Sequence, residues 1–292
     1  MAVYDCTMFF NENDLFEIRL NQHWNFVDKF IVVEAGETHT GLKKSYNFDH
    51  ERFKPWASKI EYRTFDSFDD AIKNNPQLVD GNTFSDRGGN KTAMDWGRDS
   101  FQANYSHLML SELNAQDDDI IIHSCCDEII KQSTFDACVA RINNDPSKDF
   151  VFMFRLSLFA FKFNALHKSW ARTDTTGMLM NYKIMRQQLI GTRREHRLCT
   201  DIVNDAGWHF CSMDKYSDGA MIQAKFQAWG HSRDSEPGKK SKHELTQQEA
   251  LDRLLADYAI EKVVEVDYEN LPAYVVDHQE QFADYIIPTS DL

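Results

Sequence analysis

The run Asp117-Asp118-Asp119-Ile120-Ile121-Ile122-His123-Ser124-Cys125-Cys126-Asp127-Glu128-Ile129 constrains the fold of this chain more than any other stretch. An isoleucine triplet sits between acidic residues and leads into a second acidic pair. A short apolar run with polar ends predicts a strand buried on both faces, as in a parallel sheet. Ligands of open α/β sheets bind beyond the carboxyl ends of such strands. Asp127 and Glu128 therefore stand where carboxylates can hold a hard divalent cation against a phosphate. The competing reading of the segment alone is a solvated acidic turn.

The surrounding sequence alternates between strand and helix patterns. Val3 to Phe10 reads as a strand, and Asn11-Glu12-Asn13-Asp14 as a polar turn with helix-capping residues. Leu15, Ile18, Arg19 and Trp24 recur at helical spacing and predict a helix over about 14–24. The β-branched run Phe30-Ile31-Val32-Val33 predicts a second strand ending at Glu34-Ala35-Gly36, and Ile60 to Arg63 a weaker third. This alternation predicts a mostly parallel central sheet flanked by helices. Residues 66–95 read as loop and short helix, and Trp96 to Leu113 as one helix leading into the isoleucine strand. Phe150 to Phe163 reads as one or two further strands whose aromatics belong to the core. Ser232 to His243, with Pro237 and Gly238, is the most loop-like run and is expected to be a lid. Thr246 to Glu249 is a capping box ahead of a C-terminal helix.

Composition limits the class. Hydrophobic residues make up 42% of the 292, enough for a folded core. The net charge of −14 argues against nucleic acid as a partner but leaves room for a single nucleotide. No apolar run is long enough to span a membrane, and the first residues lack the basic and apolar regions of a secretory signal. The expectation is a cytoplasmic protein without a membrane anchor, with a bacterial or viral source fitting. The six cysteines have no zinc-site spacing and read as reduced thiols. Sequons at Asn90 and Asn104 carry no meaning in that compartment.

Several side chains have types suited to chemistry. Asp127 is a candidate first ligand for Mg²⁺ or Mn²⁺, whereas the soft sulfurs of Cys125 and Cys126 are not. Arg98, near a predicted helix start, can meet an anion, or else pair with Asp95 or Asp99. In Asp205-Ala206-Gly207-Trp208-His209-Phe210, Gly207 permits close backbone approach to a ligand. Trp208 offers a flat face for a sugar or base, and His209 is a metal ligand or general base. His231 lies beside the flexible loop. Each histidine also has an ordinary structural reading.

The run Tyr4 to Asn21 resembles the N-terminal signature of glycosyltransferase family 17, which includes the bisecting β-1,4-mannosyl-glycoprotein β-1,4-N-acetylglucosaminyltransferase. The resemblance continues at Val27 to Ala35, at Trp96, Arg98 and Gln102, at Asp127-Glu128-Ile129, at Arg155 to Phe159, at Ala206 to His209 and at Leu271 to Tyr274 with Phe282 and Tyr285. It covers nearly the whole chain. It implies one GT-A-like nucleotide-sugar-binding domain over 1–292. Within it, about 1–130 binds nucleotide, about 131–245 carries acceptor and metal sites, and about 246–292 is a C-terminal helical extension.

The implied activity is inverting transfer of N-acetylglucosamine from a UDP-sugar to a glycan hydroxyl, assisted by Mn²⁺ or Mg²⁺. The resemblance implies donor contacts at Phe10, Asn11, Glu12, Glu34, Arg98 and Trp208, and metal ligands at Asp127, His209 and His231. The catalytic base is one of Asp205, Glu128 and Asp214, without a choice among them. The family's acidic motif has two aspartates separated by one residue; here Cys125 stands at the first. That substitution keeps open a weakly active or non-catalytic nucleotide-sugar-binding relative. A sugar nucleotidyltransferase is the other alternative, disfavoured because Asn11-Glu12-Asn13-Asp14 replaces the Gly-rich basic loop expected there.

Overall fold

β1 (Val3–Phe9) lies between β2 (Lys29–Ala35) and β4 (Ile120–His123), parallel to both, with Cys6 opposite Ile31 on one side and His123 on the other. The computed structural model describes residues 1–79, 91–167, 176–189, 198–230, 232–233, 240–258 and 260–288. β3 (Ile60–Phe65), β6 (Val151–Phe154), β9 (Thr176–Asn181) and β10 (Asp201–Val203) complete a seven-stranded sheet in the order β10-β6-β9-β4-β1-β2-β3. Only β9 runs against its neighbours. Ile120, Ile121 and Ile122 have no exposed surface, so the isoleucine run is a strand covered on both faces.

Helices cover the sheet. α1 (Asn13–His23) crosses from β1 to β2. α2 (Phe68–Asn74), α3 (Lys91–Asn104) and α4 (Ser106–Glu112) lie between β3 and β4. The single helix expected over Trp96 to Leu113 is thus two, parted at Tyr105. Phe16, from α1, packs edge-on against Phe9, Phe30 and Phe53 on one face of the sheet. Phe68 and Phe101 pack with Phe65 on the other. Each such side chain is buried and contributes roughly 1.5–3 kcal/mol.

A second sheet has the order β12-β8-β7-β11-β5. Its strands are β5 (Glu128–Ile130), β7 (Ser157–Phe161), β8 (Ala165–His167), β11 (Gly207–Met213) and β12 (Ile260–Val263). β5 follows directly on β4, so the acidic turn is the junction of the two sheets. α5 (Gln132–Asn144) and α6 (Tyr182–Met185) follow β5 and β9. α7 (Ala220–Ala228) packs beside α8 (Gln247–Asp257), whose start is the expected capping box at Thr246 and Glu249. The C-terminal helical stretch is present as α8 and α9 (Ala273–Asp277), with β12 between them. The expected α/β architecture, with a mostly parallel central sheet, is the one observed. Among the described residues no helix is long and apolar enough to cross a membrane.

Candidate active site

Asp127 reaches its position through a tightly held turn. β4 ends at His123, and the chain reverses through Ser124 to Asp127 before β5. Arg19, wholly buried in α1, donates to the carbonyls of Cys125 and Glu128 at 2.6 and 2.7 Å and to Ser124 Oγ at 2.7 Å. Its guanidinium is itself paired with the buried carboxylate of Asp5, which also meets His23 Nδ1 at 2.7 Å. The Cys125 amide donates to Glu128 Oε2 at 2.8 Å, closing the turn. Phe210 N–H donates to the Asp127 carbonyl at 2.8 Å, so β11 braces it from the far side.

The Asp127 carboxylate faces two cationic side chains. Lys225 Nζ, from α7, donates to Oδ2 at 2.9 Å, and His209 Nε2, from β11, lies 3.8 Å from Oδ1. Oδ1 is buried and accepts no hydrogen bond among the described residues. Burial opposes ionisation of Asp127, but the adjacent Lys225 and His209 outweigh it and hold the carboxyl well below its usual range. Burial likewise opposes charge on His209, yet the Asp127 carboxylate raises it to about 10. Lys225 is raised well above its ordinary value, its burial outweighed by Asp127, Cys211 and Glu12. Glu12 Oε2 accepts the Phe10 and Asn11 amides at 2.9 and 3.0 Å, and burial raises its pKa.

These groups border a cavity of about 490 Å³ beyond the carboxyl ends of β1 and β4. Met8, Phe10 and Glu12 line it from the end of β1, and Cys125, Asp127 and Glu128 from the junction. His209 and Lys225 form another wall, and Trp96, Gln102 and Trp229 close it with apolar and amide surface. Gln102 is held by Val33 O at 2.9 Å and His39 Nε2 at 2.9 Å.

The residues expected from sequence divide clearly. Phe10, Glu12, Asp127, Glu128 and His209 meet at the cavity. Asn11 is beside it but does not line it. Glu34 is turned to its own loop, taking Lys44, Tyr62 Oη and the Asn47 amide, and Arg98 donates to the His39 carbonyl at 3.2 Å. Trp208 is a core residue whose Nε1 donates to Asn270 O at 2.7 Å, so its ring offers no face to a ligand. Gly207 is required by the chain itself: φ is 154°, and a Cβ would stand 2.1 Å from the Ile129 carbonyl across the β5 pairing. Asp205 is 75% exposed and paired with Lys131. Asp214 is buried outside the cavity, where Oδ2 accepts the Gly219 amide at 2.6 Å at the start of α7. Neither lines the cavity.

His231 lies outside the described residues, as do 234–239 of the expected lid. Ser232 is buried, and the His243 amide donates to its carbonyl at 3.0 Å. Lys225 was not foreseen, though a signal existed. Ile222, Lys225, Phe226 and Trp229 follow an apolar-stripe spacing, and a lysine within such a stripe points inward.

A divalent cation finds mixed conditions here. Ligand atoms of Cys125, Asp127 and Glu128 lie within 4.8 Å of one another, close enough to share an ion. Their chemistry does not suit Mg²⁺ or Mn²⁺. One is a soft sulfur, Glu128 Oε2 accepts a backbone amide, and Asp127 Oδ2 already carries an ammonium. The residues present fit a hard cation poorly.

The sequence matches glycosyltransferase family 17 over residues 1–290, and the chain belongs to that family. No curated protein matches it. Among solved structures, a 4-diphosphocytidyl-2C-methyl-D-erythritol synthase is similar at 9% identity and a TM-score of 0.38, covering 70% of this chain and 89% of that one. A mycobacterial protein is similar at 11% identity and a TM-score of 0.35, covering 78% and 73%. At such TM-scores neither likeness bears on function.

Proposed function

We propose that this chain is an inverting glycosyltransferase of GT-A-like type that takes a UDP-sugar, with N-acetylglucosamine as the first candidate, and passes the sugar to a glycan hydroxyl. The carrying observation is the Lys225 ammonium fixed on Asp127 at the wall of a cavity beyond the ends of β1 and β4. Membership of glycosyltransferase family 17 supports the reaction class. The bond from the anomeric carbon to the diphosphate oxygen breaks as the acceptor oxygen bonds to that carbon from the opposite face. Negative charge builds on the leaving diphosphate, where a preorganised cation stabilises it. Glu128 is the one of the three candidate bases that lines the cavity, and it takes the acceptor proton. Phe10 and Trp229 supply apolar surface for the nucleoside.

The test is turnover of UDP- and GDP-sugars, followed by release of the nucleoside diphosphate. Wild-type protein is expected to turn over a UDP-sugar, and Glu128→Gln to lose about 10²–10⁴-fold in rate, the usual contribution of a general base. Absence of turnover with any donor, alongside retained donor binding, would favour a second reading: a binding protein without transfer, for which Cys125 in the acidic turn is the supporting observation.

A further inference from the structure

We propose that the ammonium of Lys225 stands in for a divalent cation, so that the donor's diphosphate is held without metal. The inference rests on the donor-site reading above and specifies how that site meets charge.

The geometry supports the substitution. Lys225 Nζ sits 2.9 Å from Asp127 Oδ2, at the carboxylate best placed to hold an ion. An ammonium has three donors, and Asp127 takes one, which leaves others to be directed at phosphate oxygens. The lysine is not a loose surface group. It lies on α7, whose first turn is fixed by the Gly219 amide on Asp214 and by close contact with the Gln247 carbonyl, where a Cβ at Gly219 would come within 2.5 Å. Lys225 and Lys242 both lie near the Trp229 ring, at 5.5 and 5.4 Å from its centroid, and Lys242 is paired with Asp257 at 3.7 Å.

The same arrangement opposes a metal. An ion bound to Asp127 would stand a few ångström from the Lys225 ammonium, with His209 approaching the other carboxylate oxygen at 3.8 Å. Like charges at such range repel strongly in a partly buried site. Cys125 offers sulfur where a hard cation needs oxygen. Asp127 is therefore an anchor that orients Lys225, and the diphosphate meets the lysine.

Calorimetric titration of the full chain with UDP, in EDTA and again with Mn²⁺, tests this. The dissociation constant is expected to agree within about twofold between the two conditions. In EDTA, Lys225→Met should weaken binding about tenfold or more, the loss of one charge-assisted hydrogen bond, whereas Lys225→Arg should keep most of it. Binding that requires Mn²⁺ would overturn the inference and leave the donor site standing. No UDP binding in either condition would overturn the donor-site reading and this inference together. The comparison of the two conditions uses wild-type protein, so it stands even if the methionine variant fails to fold.

Discussion

Arg19 Nη1 donates to the Glu128 carbonyl at 2.7 Å, joining α1 to the acidic turn across 109 residues of sequence. The same guanidinium holds Asp5, Ser124 and Cys125. A group at the core of the first crossover thus fixes the backbone on which Asp127 and Glu128 stand. Such a network stabilises only while it is complete, because each partner left alone is a buried charge or unpaired carbonyl.

Arg19→Met is accordingly expected to destabilise the protein by about 3–5 kcal/mol, the usual result of removing one partner from a buried ion pair. Chemical denaturation measures it. A loss below about 1 kcal/mol would show that the turn is held by other contacts.

Acid stability should carry a histidine signature. His107 Nε2 is buried without a hydrogen-bond partner among the described residues, and burial, with His123 adding to it, lowers the ring from 6.5 to about 4. The unfolded chain therefore binds a proton that the folded one refuses in that window. Stability is complete above about pH 6.5 and falls as the pH drops toward 4, by roughly 2–3 kcal/mol at most from this group. Replacing His107 with Leu should flatten that part of the stability profile. An unchanged slope would assign it to other groups.

Exchanging the hard and soft groups should change the cation used. Lys225→Met combined with Cys125→Asp removes the ammonium and adds an oxygen ligand beside Asp127 and Glu128. UDP binding by this double variant is expected to become dependent on Mn²⁺, by about tenfold or more between EDTA and Mn²⁺. Equal binding in both conditions would show that the turn does not hold an ion even with hard ligands.

Trp208 and Asp205 both lie outside the cavity, one in the core and one at the surface. Trp208→Ala should cost about 3–5 kcal/mol of stability, as for other buried aromatics. Asp205→Asn, at an exposed ion pair with Lys131, should leave turnover within about twofold and stability within about 1 kcal/mol. A large loss of turnover in folded Asp205→Asn would return that carboxylate to the list of bases.

The sheet was legible because its strands announce themselves locally. Ile120 to Ile122 are β-branched and apolar without interruption, and nothing but a strand covered on both faces suits them. Asp127 and Glu128 were legible as the residues that follow such a strand. The roles of Trp208 and His209 were not, because they depend on the pairing of β11 with β5. Successive side chains of a strand point to opposite faces, so pairing sends Trp208 into the core and its neighbour His209 to the cavity. Gly207 was expected to let a ligand approach the backbone, whereas the group that approaches it is the Ile129 carbonyl. Lys225 lies 98 residues from Asp127, and no local pattern reports their contact. Asp214 lies outside the cavity and receives the amide at the start of α7, a placement that only the fold reveals.

The most direct measurement is hydrogen exchange of the full chain with and without a UDP-sugar. A donor seated beyond β1 and β4 should slow exchange at the Phe10 and Asn11 amides, across Cys125 to Glu128, and along α7 around Lys225, with little change at Asp205 or Asn270. Protection confined to other surfaces, with these segments unchanged at saturating donor, would contradict a nucleotide-sugar site in this cavity.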